Sequence, residues 1–292
     1  MRGTALLLVA IPMLFGIAVV DAAQVAATPV QIKGQWRQGE LLIGQVAPGS
    51  EVRFKGKPLR VGDDGHFVIG LDRDEAGEPE LDVITADGNT HSESHKIAAR
   101  TYSIQKLTLP PDKVNAPPEV AARIEREGVL TRDARMIDSS RDDYRSAFVW
   151  PAKGRISGVY GSQRILNGEK KQPHYGVDVA VPTGTPVRAP AGGVVTLAEP
   201  DLYYTGGTLM IDHGHGLTSA FLHLSQLKAK VGDAVKQGDV VALSGASGRA
   251  TGPHLDWRIS WFDARVDPQR LVPAMTAADQ TPPSKNKPNK PR

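Results

Sequence analysis

The chain of 292 residues has eight histidines and no cysteine, and five of the histidines lie between positions 174 and 254. Without cysteine there is no thiol nucleophile, disulfide, iron–sulfur cluster or Cys-ligated zinc, so any metal site must be built from His, Asp and Glu. Pro173-His174-Tyr175-Gly176-Val177-Asp178 sets a histidine and an aspartate four apart. That offset aligns both on one helix face, and on a strand an even offset also puts both on one side, so either geometry lets them share a cation. Gly176 and the β-branched run that follows favour the strand. In Thr251-Gly252-Pro253-His254-Leu255-Asp256-Trp257-Arg258, a strand would project His254, Asp256 and Arg258 to one face and pack Leu255 and Trp257 on the other. Ala220-Phe221-Leu222-His223-Leu224-Ser225 places a further histidine among apolar neighbours, which alone reads first as a hydrogen-bonded core residue. Together the three segments supply a metal-plus-base constellation: carboxylate and imidazole donors for a divalent cation, and imidazoles that titrate near neutrality. Asp212-His213-Gly214-His215-Gly216 imitates a ligand pair, but its flanking glycines mark a turn outside the metal set.

The elements that must position these residues are strands. From Phe148 to about Pro273 the runs at 177–181, 193–197, 208–211 and 240–243 are β-branched, short and punctuated by Gly and Pro. From Val30 to about Arg100 alternating runs are separated by Lys55-Gly56-Lys57-Pro58, Asp63-Asp64-Gly65 and Asp87-Gly88-Asn89, the spacing of hairpins in a small β-sandwich, expected to be immunoglobulin-like. Its histidines His66, His91 and His95 have no ligand-like spacing and are expected at the surface. Leu109-Pro110-Pro111 and Pro117-Pro118 break regular structure between the two regions, and residues 119–144 read as one or two bridging helices with a packing role.

Composition is that of an ordinary soluble protein, with 40% hydrophobic and 23% charged residues. The net charge of +3 belongs largely to the end of the chain, where Lys285, Lys287, Lys290 and Arg292 stand without an acid, so it does not point to nucleic acid. Arg2, the apolar run from Ala5 to Val20 and the alanines at 22, 23, 26 and 27 have the layout of a secretory signal, and the run is short for a membrane span. The expected organisation is a signal at 1–27, a β-sandwich at 28–105, a Pro-rich linker with helices at 106–146, a second β domain at 147–275 and a disordered basic tail at 276–292.

The stretch from about Trp150 to Pro268 resembles the LytM/lysostaphin-type zinc metallopeptidases. The resemblance is carried by Ser157-Gly158-Val159-Tyr160-Gly161, the His-x-Gly-x-Asp of His174 to Asp178, Pro182-x-Gly184-Thr185-Pro186-Val187-x-Ala189-Pro190, His223-Leu224-Ser225, Gly232-Asp233-x-Val235-x-x-Gly238 and Gly245-x-Ser247-Gly248 with Thr251-Gly252-Pro253-His254. It implies an antiparallel β core related in shape to lipoyl-type hybrid barrels, a groove-shaped active site, and peptidoglycan as substrate in the periplasm or cell envelope. It also implies that His174 and Asp178 are zinc ligands and that His223 and His254 line the site as acid, base or oxyanion stabiliser. The family's His-x-His and following Glu are here His254-Leu255-Asp256 and Arg258, which makes Asp256 the third ligand. Two carboxylates take the formal charge of a zinc centre from +1 to zero, and Arg258 can offset this by hydrogen-bonding Asp256. Phe221 stands where the family commonly has Tyr. The rival reading is a catalytically inactive member that activates or scaffolds other cell-wall hydrolases: Asp256 argues for it, and retention of His174, Asp178, His223 and His254 against it. The N-terminal region carries no chemical motif and is expected to dock on the wall or a protein, or to cover the groove.

Overall fold

The computed structural model describes residues 30–108 and 116–280. The expected signal, the Pro110-Pro111 pair and the basic end from 281 lie outside the described residues. The N-terminal module contains β1 (Val30–Lys33), β2 (Leu41–Val46), β3 (Glu51–Phe54), β4 (Lys57–Leu59), β5 (His66–Gly70), β6 (Glu80–Ile84) and β7 (Thr90–Ser94). They form two antiparallel sheets of order β1-β2-β5 and β4-β3-β6-β7, so the second strand pairs with the fifth and the third with the sixth, as in an immunoglobulin-like sandwich. Alternation drives this packing: Val52 and Phe54, Leu81 and Val83, and Leu42 turn inward onto Phe67 and Ile69 in one core. Lys55 and Gly56 both have positive φ, the requirement of the two-residue turn that joins β3 to β4.

After this module come β8 (Ile104–Leu107), a 3-10 turn at Pro118–Val120, helix α1 (Ala121–Arg135), and β9 (Arg155–Gly158), β10 (Gln163–Leu166) and β11 (Glu169–Lys170). Strand β8 straddles the expected boundary at 105 and pairs in parallel with β10, so this segment joins the C-terminal region rather than either N-terminal sheet. The C-terminal module continues with β12 (Gly176–Ala180), β13 (Pro186–Arg188), β14 (Gly193–Leu202), β15 (Gly206–Asp212), β16 (Leu217–Leu227), β17 (Ala234–Val235), β18 (Val240–Ser244), β19 (Leu255–Trp261) and β20 (Ala264–Val266). Its main antiparallel sheet has the order β17-β14-β15-β16-β19-β12-β9, with β20 on β19 and β18 linking β13 to β16.

The register sorts the side chains of this sheet into two faces. Val177, Val179, Leu209, Ile211, Phe221, Leu255, Trp257 and Ile259 are all fully buried on one. The other face carries Asp178, Asp256 and Arg258, and α1 lies over part of it, with Ala134 packed among Leu197, Leu202, Met210 and Ala220. The two modules share apolar contacts, Val68 packing in the C-terminal core and Trp261 against the N-terminal one. Ion pairs Arg100–Asp267 at 2.9 Å and Arg270–Glu40 at 2.8 Å fasten the same junction. No helix among the described residues is long and apolar enough to cross a membrane.

Candidate metal centre

Asp178 and Asp256 are direct register partners on β12 and β19, which puts both carboxylates on one face at one level. Glycines make room for them. A methyl group on Gly158, opposite Asp178 on β9, would collide with Asp178 Oδ2, and one on Gly176 would lie 2.5 Å from Asp256 Oδ1. His174 stands just before β12. Its backbone N–H donates to Ser162 O at 2.9 Å, and its carbonyl accepts from Gly161 N–H at 2.7 Å. Its ring Nδ1–H is directed at Val159 O, 3.3 Å away, which fixes the tautomer and turns Nε2 toward the carboxylates. Nε2 lies 3.0 Å from Asp178 Oδ1 and 3.6 Å from Asp256 Oδ2, and one donor atom from each of the three residues falls within 4.8 Å of the others.

Both His174 Nε2 and Asp178 Oδ1 are buried without a well-aligned hydrogen-bond partner, although they face each other. Two buried lone-pair donors in that relation, with a second carboxylate beside them, fit a divalent cation better than they fit one another. One nitrogen and two oxygens form a zinc-type donor set that leaves a fourth position open. Burial opposes charge on His174, but Asp178 and Asp256 outweigh it and push its pKa up to about 9. In the metal-free chain this imidazole therefore holds a proton that a cation must displace. Burial likewise works to raise the Asp256 carboxyl, while Arg258 and His174 hold it well below the usual carboxylate range. Arg258 does so through Nε on Oδ1 at 3.0 Å and Nη2 on Oδ2 at 2.6 Å.

The two remaining histidines repeat the backbone anchoring. Nδ1–H of His223 donates to Ser247 O and that of His254 to Gly252 O, each at 2.8 Å, leaving both Nε2 atoms free. The rings lie 4.8 Å apart, and His254 Nε2 is 3.8 Å from Asp178 Oδ1. His223 has φ of 62° and sits where the register between β15 and β16 shifts, so a bulge turns its side chain away from the strand's alternation. Burial lowers the His223 pKa against the pull of Asp256, which keeps this imidazole ready to accept a proton.

The structure thus brings His174, Asp178, Asp256, Arg258, His223 and His254 into one neighbourhood. It leaves the Asp212–Gly216 turn outside: His213 is fully buried, with Nδ1–H donating to Gly192 O at 2.6 Å and the Ser219 hydroxyl 2.8 Å from Nε2. Sequence reasoning missed the roles of Gly158 and Gly176 as space for the carboxylates and of Ser247 as the anchor of His223. All three fall inside motif segments already singled out, so the signal was present without its geometry. Arg73 was also missed. It is 7% exposed, stacks on Tyr102 at 4.3 Å and donates from Nε to Gly161 O at 2.8 Å, gripping the loop that supports His174.

Residues 172–268 match peptidase family M23. A crystal structure from Pseudomonas aeruginosa assigned to peptidase M23 is 32% identical, covers 82% of this chain and 95% of its own, and superposes with a TM-score of 0.65. The peptidoglycan DD-endopeptidase ShyA of Vibrio cholerae is 31% identical over 219 residues, which are 70% of this chain and 51% of that protein. The DD-carboxypeptidase/endopeptidase Mpg of Neisseria meningitidis is 39% identical over 123 residues, 42% of this chain and 27% of that protein. The chain therefore spans about half the length of ShyA and about a quarter of Mpg.

Proposed function

Because the chain belongs to peptidase family M23, we propose that it is an exported, zinc-dependent endopeptidase that hydrolyses peptide bonds in peptidoglycan stems or cross-links. The observation that carries this reading is the pair of buried donor atoms on His174 and Asp178, 3.0 Å apart and facing Asp256, with two backbone-anchored imidazoles alongside. His174, Asp178 and Asp256 would hold the ion. A zinc ion held there supplies a Lewis acid that polarises a carbonyl and makes a water more acidic. Arg258 fixes the orientation of Asp256 and balances its charge. With Nδ1 committed to a carbonyl, each of His223 and His254 exchanges protons only through Nε2, so one accepts the proton of the attacking water and delivers it to the leaving amine. The other, once it carries a second proton at Nε2, donates a hydrogen bond to the developing oxyanion. In this reading the leader at 1–27 directs the chain to the periplasm or cell envelope.

One observation favours the rival reading of an inactive scaffold or activator: both oxygens of Asp256 are already engaged by Arg258. Zinc analysis with muropeptide profiling separates the two. We expect about one zinc per chain after reconstitution, as a single three-residue donor set binds one ion, together with new peptide-cleaved products that disappear with chelator and return with zinc. No new product at any metal loading would sink the enzyme reading.

A further inference from the structure

His223 holds a backbone conformation that few residues other than glycine adopt, and such strain persists only where the surroundings over-determine it. Gly207 and Leu224 are register partners on β15 and β16, and the next pair is Leu209 with Phe221. Between these pairs β15 contributes Thr208 and β16 contributes both Leu222 and His223, so His223 belongs to a bulge. The His223 N–H donates to Thr205 O at 2.8 Å, in the turn before β15.

One hydroxyl ties this bulge together. Ser247 Oγ accepts from Gly207 N–H at 2.9 Å and donates to Leu224 O at 2.7 Å, so it is inserted in the ladder between the two register partners. The carbonyl of the same residue accepts from Nδ1–H of His223 at 2.8 Å. Two residues earlier, Gly245 O accepts the His254 N–H at 3.1 Å, so the segment 245–248 touches both imidazole residues. Close packing sets its course: a methyl group on Gly206 would collide with Ser247 Oγ, and Arg249 N–H donates to Tyr204 O at 2.9 Å. A hydroxyl both donates and accepts, and Ser247 uses both capacities on backbone groups. Without it Gly207 N–H and Leu224 O lose their shared partner, and the segment that carries the Ser247 carbonyl is released from the bulge.

We propose that Ser247 is a positioning residue for His223: its hydroxyl holds the bulge and its carbonyl holds the ring, which keeps Nε2 aimed at the reacting groups. This inference rests on the peptidase reading and deepens it. None of these bonds reaches His174, Asp178 or Asp256, so loss of the Ser247 hydroxyl separates proton transfer from metal binding.

The test uses the full zinc-loaded chain, with nitrogen NMR of the histidine rings at a pH where His223 is neutral and steady-state hydrolysis of a muropeptide. Wild-type His223 should show the Nδ1–H tautomer alone. In S247A the tautomers should mix and kcat should fall by about a hundredfold, the cost of a misplaced proton carrier, with KM and zinc content little changed. S247T keeps the hydroxyl and should keep the tautomer and most of kcat. S244A is the structural contrast. The Ser244 hydroxyl also bridges two backbone groups, accepting from Thr185 N–H at 3.2 Å and donating to Pro182 O at 2.8 Å. Its loss should lower melting temperature and leave the His223 tautomer and kcat in place. A wild-type ring in the Nε2–H or mixed state overturns the proposal even if S247A does not fold. So does an S247A chain that keeps either the single tautomer or full kcat, or an equal fall of kcat in S244A. A tautomer change in S247A with no hydrolysis by any form, wild type included, would overturn the peptidase reading and leave the hold on the ring standing.

Discussion

His213 and His174 show how the same side chain takes opposite states in one fold. His174 faces two carboxylates and is pushed up to about 9, whereas His213, sealed in the interior, is pushed down to about 4, chiefly by burial. The consequence for His213 can be worked out. Above its ordinary value of 6.5 the ring is neutral whether the chain is folded or not. As the pH falls from 6.5 toward 4, the unfolded chain takes up a proton that the fold refuses, so stability drops by about 1.4 kcal/mol per pH unit and levels off below 4. Over that window His174 is protonated in both states and adds no slope. Chemical denaturation of the metal-free chain across a pH series should show this limb, and His213→Gln should make it shallower whatever that variant's absolute stability, the lowered His215 and His223 supplying the remainder. An unchanged slope would mean that His213 accepts a proton in the fold. The sequence already marked His213 and His215 as imitators of a ligand pair, because their glycines signal a turn. It could not show that Gly192 and Ser219 occupy both nitrogens of His213, since one partner lies just before β14 and the other on β16.

Strands β9, β12 and β19 act as one element around the carboxylates. Alternation made their faces readable in advance: Leu255 and Trp257 inward, Asp256 and Arg258 outward. Their spacing relative to one another was not readable, because it depends on which neighbour lacks a side chain. Gly158→Ala tests this. Gly158 needs no unusual backbone angle, so the substitution acts only through the methyl group driven against Asp178. Overpacking of this kind costs about 1–3 kcal/mol, and we expect zinc affinity to fall alongside melting temperature. Gly128→Ala in α1 is the contrast: nothing lies within 4 Å, and removal of a helical glycine should stabilise the chain by about 0.5–1 kcal/mol with zinc affinity unchanged. Unaltered zinc affinity in Gly158→Ala would show that β9 does not shape the centre. The bulge at His223 was equally hidden, since a histidine in an apolar strand gives no sign that the backbone will turn to a positive φ there.

At the scale of the whole molecule, the N-terminal module reaches the metal centre through support rather than through chemistry. Arg73 holds Gly161 O, Tyr102 occupies the space a side chain at 161 would need, and Ser103 accepts from Gln163 N–H at 2.8 Å, all on the loop whose other contacts orient His174. Arg73→Ala should therefore weaken zinc binding by roughly tenfold or more in a chelator competition, in line with the loss of a group that supports a ligand. Val83→Ala in the N-terminal core should lower melting temperature without that loss. Equal weakening by both would reduce the Arg73 contact to general stability. None of this was visible in the sequence, where Arg73 and Gly161 are 88 residues apart and the first module bears no motif. The same separation also orders events in time. The parallel seam of β8 on β10 and the Arg73 contact form only after long stretches of chain have closed, the slowest class of contact in folding. A newly made chain thus brings His174, Asp178 and Asp256 into register late, after both modules have met.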